Sequence, residues 1–341
     1  MKALVKTSKG VGNIRLLEEP VPATGDNQVK VKVEYAGICG TDLHIMLDEY
    51  DYAVPVILGH EASGTVVEIG KNVKNIKVGD KVVTETNAVV CGECSLCRAG
   101  RFCLCPERKA LGQKYNGVFA EYFVIGQENV YEIPKNVDML SAAVSEPLAC
   151  VVHAVCERSK ILAGDVVIVS GPGPIGLLSL QVAKAEGAKV VVLGTSSDEK
   201  RFLKAKELGA DYVVDVEKDD PADIIREETG GEGADVLIEC SGAGPAVRKG
   251  IDLLKKRGIF TQIGLFSKDV TLDFNKICFK EINLFGCLSK TDFSWRKTLQ
   301  LLKENKIDAR SVISDILPLE EWEKGFRIAQ EKGGLKVILK P

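Results

Sequence analysis

Residues 165–176 read DVVIVSGPGPIG. VVIVS is a short, continuous, mostly β-branched run, the pattern of a strand buried on both faces. Gly171, Gly173 and Gly176 follow it in G-x-G-x-x-G spacing, with Pro174 and Ile175 where a helix opens. Glycine there permits a tight turn and a close approach of backbone to a pyrophosphate, while the helix N-terminus presents free N–H groups to the anion. These five residues are therefore candidate dinucleotide ligands. The same texture continues downstream, where KVVVL, DYVV, DVLIEC, GIFTQIG and INLFGC alternate with helix-like segments such as 174–186 and 198–208. About six strands alternating with helices predict βαβ units and a doubly wound parallel sheet made of two mononucleotide-binding halves.

An acidic residue about twenty positions after the glycines would take the ribose 2′-hydroxyl of NAD. Here residues 190–201 read VVVLGTSSDEKR, with Gly194 where that acid would stand. Thr195, Ser196 and Ser197 follow it, with Lys200 and Arg201 close behind. Small hydroxyls and cations suit a 2′-phosphate, so NADP is expected ahead of NAD. Asp198 is the residue that keeps NAD possible.

On the N-terminal side the texture differs. VKVKVEY at 29–35 alternates apolar and polar residues, and similar runs with glycine-rich turns recur to about residue 133, which reads as a β-rich domain. After residue 287 come a helix-like stretch at 294–305, SVISDILPL, a short helix and LKVILK. This tail is too small to stand alone and is expected to pack back on the β-rich domain. The expected boundaries are 1–146, 147–287 and 288–341.

The 341 residues carry 45% hydrophobic and 27% charged side chains and a formal net charge of -3. That is ordinary globular composition with no basic field for a polyphosphate, so nucleic acid is not an expected partner. No run approaches the ~18 apolar residues of a membrane span or resembles a signal sequence, and a cytoplasmic protein is expected. The eleven cysteines are odd in number and too few for a disulfide scaffold, which makes them reduced thiols or metal ligands. Cys103, Cys150, Cys156, Cys240, Cys278 and Cys287 are scattered and read as small core hydrophobes.

Residues 91–105, CGECSLCRAGRFCLC, give C-x2-C-x2-C-x7-C at Cys91, Cys94, Cys97 and Cys105. Four thiolates close a tetrahedral shell around zinc and leave no position for water, which describes a structural site. Gly92 and Gly100 stand where the loop must turn. Cys103 is a fifth thiol that could compete, but the longer reach to Cys105 is preferred. A zinc-ribbon binding protein would share such a knuckle, yet only Arg98, Arg101, Arg108 and Lys109 lie nearby as bases, and a ribbon explains none of the remaining chain.

A second set is mixed. GICGTDLH holds Cys39, Thr41, Asp42 and His44, GHEASG holds His60 and Glu61, and SEPLAC holds Glu146. A thiolate, an imidazole and a carboxylate from separate segments leave a coordination position open, as catalysis requires. Two of only three histidines fall in these segments. His153, in an apolar helix-like run, reads as structural.

With these motifs in one order, the chain resembles the zinc-containing medium-chain dehydrogenases over its whole length. It is most similar to the polyol (sorbitol, xylitol, butanediol) dehydrogenases through Glu61 and Glu146-Pro147-Leu148, with the threonine dehydrogenases second through CGTDLHI. The resemblance implies an α/β protein with a GroES-like catalytic domain and a Rossmann domain, two zinc ions per subunit, and a homotetramer or homodimer. It implies that Cys39, His60 and either Glu61 or Glu146 hold the catalytic zinc, the other glutamate serving the metal or its water. It also implies hydride transfer between an alcohol and the nicotinamide, with Thr41 passing the proton through the cofactor ribose to His44. Asp42 is read as a cap of its local turn. Sorbitol-type relatives carry an arginine and a tyrosine after the last Rossmann strand. Here that stretch is CLSKTDFSW, with Ser289, Lys290 and Thr291 as the polar alternatives. A zinc-free quinone reductase on the same fold would lack the Cys39, His60 and glutamate set.

Overall fold

A computed structural model describes residues 1–331 and 334–341. The chain forms two compact units, one built from Met1–Pro147, Thr291–Lys303 and Ala309–Pro341, the other from Leu148–Lys290 and Glu304–Asp308.

In the first unit the alternation of residues 29–35 does what its period dictates. Strand Gln28–Gly37 buries Val29, Val31 and Val33 and turns Lys30 and Lys32 outward. It pairs antiparallel with Glu61–Ile69 and with Tyr122–Gly126. Its last residues also take the C-terminal strand Lys336–Lys340, with Ala36 opposite Leu339 and Gly37 opposite Ile338. That terminal strand in turn runs parallel to Ile313–Pro318, so the tail after residue 308 completes the sheet of this unit. Ile45, Phe119 and Phe326 join the valines in one apolar core. Short helices lie between its strands, a feature that the β pattern of the sequence did not disclose, Gly40–Met46, Ser95–Arg98 and Met139–Ala142 among them, while Asp292–Lys303 from the tail is longer.

The second unit is a six-stranded sheet whose pairings are all parallel. Its order across the sheet is Tyr212–Asp215, Lys189–Gly194, Val166–Ser170, Ala234–Glu239, Leu254–Gln262 and Asn283–Gly286. The strand order reverses beside Val166–Ser170, and at such a switch point a crevice opens beyond the carboxyl ends of the strands. All five residues of that strand are buried, as its unbroken apolar run requires. Helix Pro174–Ala185 follows, with proline in its first turn, where a missing N–H costs nothing.

Candidate metal centre and cofactor cradle

The ladder between Gln28–Gly37 and Glu61–Ile69 ends with Gly37 directly opposite Glu61. Cys39 follows the first strand by two residues and His60 precedes the second by one, so the end of a single antiparallel pair brings them together. One ligand atom each from Cys39, His60 and Glu61 lies within 4.8 Å of the others. His60 is 5% and Glu61 0% exposed. Both His60 Nδ1 and Glu61 Oε2 are buried without a hydrogen-bond partner among the described residues. A buried imidazole and a buried carboxylate oxygen left unpaired are costly. Together with a thiol they form the donor set of an open zinc site.

The local electrostatics also call for a cation. Burial would push the His60 imidazole down, but Asp42 and Cys39 outweigh it and raise it to about 10. Glu146, nearly buried, stands outside the close trio, and its charge acts on both His60 and Lys336.

Asp42 does more than cap its turn. Its Oδ2 accepts the N–H of Cys39 at 2.9 Å and its Oδ1 accepts the N–H of Gly59 at 3.3 Å, tying together the two segments that carry Cys39 and His60. Oδ1 also lies 3.8 Å from His60 Nδ1. Burial is the largest influence on this carboxyl and pushes it up, against the pull of His60.

Thr41 and His44 both lie on helix Gly40–Met46. Thr41 Oγ1 is 3.8 Å from Cys39 Sγ. His44 Nδ1 pairs with Glu49 Oε2 at 2.9 Å, on a side chain that is 29% exposed. Lys336 joins the site unannounced by any motif: its Nζ donates to Glu61 Oε1 at 2.7 Å and to the Ile38 carbonyl at 3.0 Å. No local pattern could have found it, because 275 residues separate it from Glu61.

Cys91, Cys94, Cys97 and Cys105 form the second cluster. Cys91 Sγ is 3.5 Å from Cys105 Sγ and 3.9 Å from Cys97 Sγ. A tetrahedron with Zn–S bonds of ~2.3 Å has edges of about 3.8 Å, so the four sulfurs fit zinc. The backbone N–H groups of Cys94, Cys97 and Cys91 point at the sulfurs of Cys91, Cys94 and Cys105, each at 3.4 Å. Amides of Cys94 and Glu93 lower the Cys91 thiol to about 7, whereas burial pushes the Cys97 thiol up to about 12. Gly92 and Gly100 have φ of 76° and 70°, backbone that side chains rarely adopt. Cys103 lies outside the cluster, buried in the turn Phe102–Leu104.

In the second unit the three glycines have separate tasks. Gly171 has φ 95°, and a Cβ there would meet Ser241 at 2.8 Å. A Cβ on Gly176 would overlap the Gly171 carbonyl. Gly173 faces open space, with nothing within 4 Å of where a Cβ would be, at the entrance to helix Pro174–Ala185. That combination of a tight turn, close packing and a free approach at the N-terminus fits a pyrophosphate. Gly194 packs against the Phe202 ring, and a Cβ there would meet it at 2.7 Å. Asp198 Oδ2 accepts from the Thr195 N–H and hydroxyl at 3.1 Å each, and its Oδ1 lies 3.4 Å from Arg201. Ser196 Oγ donates to Asp215 at 2.6 Å, and Thr195 and Ser197 share a hydrogen bond at 2.8 Å. His153 Nδ1 meets the Ser289 carbonyl at 3.1 Å, which serves structure. Thr291 caps the next helix by accepting the Ser294 N–H at 3.2 Å.

Two family descriptions match the chain: alcohol dehydrogenase GroES-like domain over residues 25–135 and zinc-binding dehydrogenase over residues 174–304. A sorbitol dehydrogenase of Halalkalibacterium halodurans is 45% identical, covering 100% of this chain and 99% of its own. A D-arabitol-phosphate dehydrogenase of Enterococcus avium is 41% identical, covering 99% and 97%. Among solved structures, one from Sinorhizobium meliloti 1021, described as a zinc-binding dehydrogenase bound to NADP, superposes with a TM-score of 0.92 at 34% identity, covering 100% and 99%. A GroES-like unit with a mixed donor set, a Rossmann unit with a pyrophosphate cradle and full-length relatives agree: the chain belongs to the zinc-type medium-chain alcohol dehydrogenases and is a zinc-dependent alcohol oxidoreductase.

Proposed function

We propose that this protein oxidises a polyol or other secondary alcohol to its ketone, and reverses the reaction, with NADP preferred over NAD. The observation that carries the reading is the Cys39–His60–Glu61 trio, in which Cys39 is half-buried, His60 and Glu61 are buried, and His60 Nδ1 and Glu61 Oε2 have no hydrogen-bond partner among the described residues. In this reading Cys39, His60 and Glu61 or Glu146 hold the catalytic zinc, and Cys91, Cys94, Cys97 and Cys105 hold a structural one.

When bound, zinc supplies Lewis acidity that favours a deprotonated alcohol, and the nicotinamide supplies a hydride acceptor. The remaining work falls to the chain. The Thr41 hydroxyl takes the alcohol proton as it gives up its own, and half-buried His44, braced by Glu49, would release a proton to water. Glu146 holds negative charge close to the trio. Gly171, Gly173, Pro174, Ile175 and Gly176 cradle the pyrophosphate.

Three features support NADP: Gly194 offers no acid to the ribose, Asp198 is already engaged by Thr195, and Thr195, Ser196, Ser197 and Arg201 gather hydroxyls and a cation at that strand end. The assembly proposed is a homotetramer or homodimer. Strand Asn283–Gly286 has one neighbour in the sheet, and Phe279 beside it is 81% exposed. Light scattering of the purified protein reads the subunit number. No described helix is long and apolar enough to cross a membrane. None of the eleven cysteines forms a disulfide among the described residues, which supports the proposed cytoplasmic setting.

The test is absorbance of reduced nicotinamide while the zinc-loaded protein meets free polyols, polyol phosphates, 2,3-butanediol and L-threonine, each with NAD and NADP. Turnover of polyols that vanishes in Cys39→Ser supports the proposal. Preference for L-threonine moves the substrate class, and no turnover with any alcohol rejects the reading.

A further inference from the structure

The chain reverses after helix Gly40–Met46, and the reversal sets a carboxylate on an imidazole. Asp48 takes a left-handed φ of 62°, which aspartate tolerates better than most residues. The Glu49 N–H then returns to the His44 carbonyl at 2.8 Å, and Glu49 Oε2 meets His44 Nδ1 at 2.9 Å. A separate hairpin pins this turn. Asp48 accepts the Tyr52 hydroxyl, and fully buried Lys6 donates to the Gly10 and Gly12 carbonyls at 2.5 and 2.6 Å. The Gly12 N–H in turn reaches the Met46 carbonyl at 2.8 Å. Groups outside the pair thus fix where Glu49 stands.

An ionised carboxylate only accepts hydrogen bonds, so the neutral His44 ring facing it carries its proton on Nδ1 and leaves Nε2 bare. We propose that Glu49 is a positioning residue for proton release: it fixes His44 in this tautomer, makes Nε2 the nitrogen that receives the alcohol's proton, and steadies the imidazolium that forms. The proposal rests on the reading of Thr41 and His44 as the relay. These two stand three residues apart on one helix, where side chains are neighbours. One proton enters at Nε2. The Nδ1 proton leaves through the Glu49 carboxylate to water, and exchange with solvent returns the ring to its first tautomer, so no charge accumulates. Glu49 suits this exit because its side chain is 49% exposed and opens on a cavity of about 690 Å³ shared with Asp51, Arg108 and Lys114. A hydroxyl, an imidazole and a carboxylate in series form an array in which the third group orients the base.

The experiment uses the zinc-loaded full chain and two readouts. The first is nuclear magnetic resonance of isotopically labelled histidine nitrogens. Only three rings have to be resolved, and His44→Gln identifies the His44 signal. In the wild-type neutral ring Nδ1 should carry the proton, and in Glu49→Ala the Nε2–H form should gain. The second readout is the rate of nicotinamide reduction in the first turnover, which product release does not mask. Glu49→Ala should slow it by about tenfold or more, a part of the ~10²–10⁴-fold that a positioned proton acceptor supplies. The KM values for alcohol and cofactor should stay as in the wild type. Glu49→Gln, whose carbonyl still accepts from Nδ1, should keep the tautomer, lose the charge and fall between the other two in rate; it covers the case in which the alanine variant does not fold. An unchanged rate in His44→Gln overturns the relay reading and the proposal with it. A His44-dependent rate that both Glu49 variants leave unchanged overturns the proposal alone, as does a wild-type His44 ring with its proton on Nε2.

Discussion

Gly37 sits across the antiparallel ladder from Glu61, and the Glu61 carboxylate occupies the space that a side chain at Gly37 would fill. One methyl group there would push Glu61 away from Cys39 and His60 while the sheet keeps its pairing. Gly37→Ala should cost ~1–3 kcal/mol through overpacking and lower kcat/KM by about tenfold or more, as displaced site groups do. Urea unfolding and steady-state kinetics on the same preparation check both.

Asp42 holds the Cys39 and Gly59 amides from one buried carboxylate. Asp42→Asn keeps the shape but points an amide at one of those N–H groups and removes the charge beside His60. Affinity for the catalytic zinc should fall by about 10–100-fold, the usual effect of losing such support. Chelator competition measures it, with the structural zinc as internal reference.

The four-sulfur cluster separates Cys105 from its neighbour Cys103. Cys105→Ser should abolish one bound zinc and lower Tm by on the order of 5–10 °C. Cys103→Ser should keep both metals, since its thiol stands outside the cluster. Metal analysis beside thermal unfolding decides between them.

In the proposed NADP reading Arg201 is the cation at the ribose end, and it is tied to Asp198 at 3.4 Å. Arg201→Ala should raise KM for NADP by about tenfold, the scale of one charge-assisted contact, and leave KM for NAD nearly unchanged. Equal effects on the two cofactors would remove Arg201 from the preference.

Asp138 caps helix Met139–Ala142. Burial alone would raise its carboxyl, but the Ser141 hydroxyl, the Ser141 and Leu140 amides and Arg310 outweigh it and hold it below the usual range. A depressed folded pKa contributes stability above the unfolded value of ~3.9, and that contribution disappears as pH falls through the folded value. Asp138→Ala should be ~1 kcal/mol less stable at neutral pH through its lost cap, and the gap to wild type should narrow as the pH is taken below about 4. Urea titrations at neutral pH and in acid measure it.

The parallel sheet was legible because its strands announce themselves locally: VVIVS is continuous and apolar, and the glycines after it have backbone tasks that no other residue performs. The four-cysteine knuckle was legible for the same reason, since its ligands lie within fifteen residues of chain. Cys39, His60 and Glu61 are grouped by their chemistry and by the family resemblance, but which glutamate stands beside the other two depends on the register of two strands, which no local pattern discloses. What the sequence withheld are charges delivered from afar. Lys336 on Glu61 is one. Another is Glu85, which accepts the Trp295 indole N–H at 2.6 Å across 210 residues while Tyr131 stacks on that ring. A lysine at the start of a strand looks like a solvent-facing residue until the sheet's pairing shows which neighbour it meets. Asp42 was read as a cap because one of its bonds is local; the bond to Gly59 is not.

The pairing of Lys336–Lys340 with Gln28–Gly37 also sets an order of events during synthesis. The residues it joins at Lys336 and Ile38 lie 298 positions apart, and the unit Leu148–Lys290 is encoded between them. A ribosome therefore delivers that inserted unit, and the Glu304–Asp308 segment that completes it, free to fold, while the sheet begun at Gln28 still waits for a strand. Until Ile338 and Leu339 arrive, Ala36 and Gly37 present an open backbone edge, the kind of surface on which strands from other chains dock. The interval between translating residue 37 and residue 338 is thus a window of vulnerability, and it closes only when the last strand is threaded home.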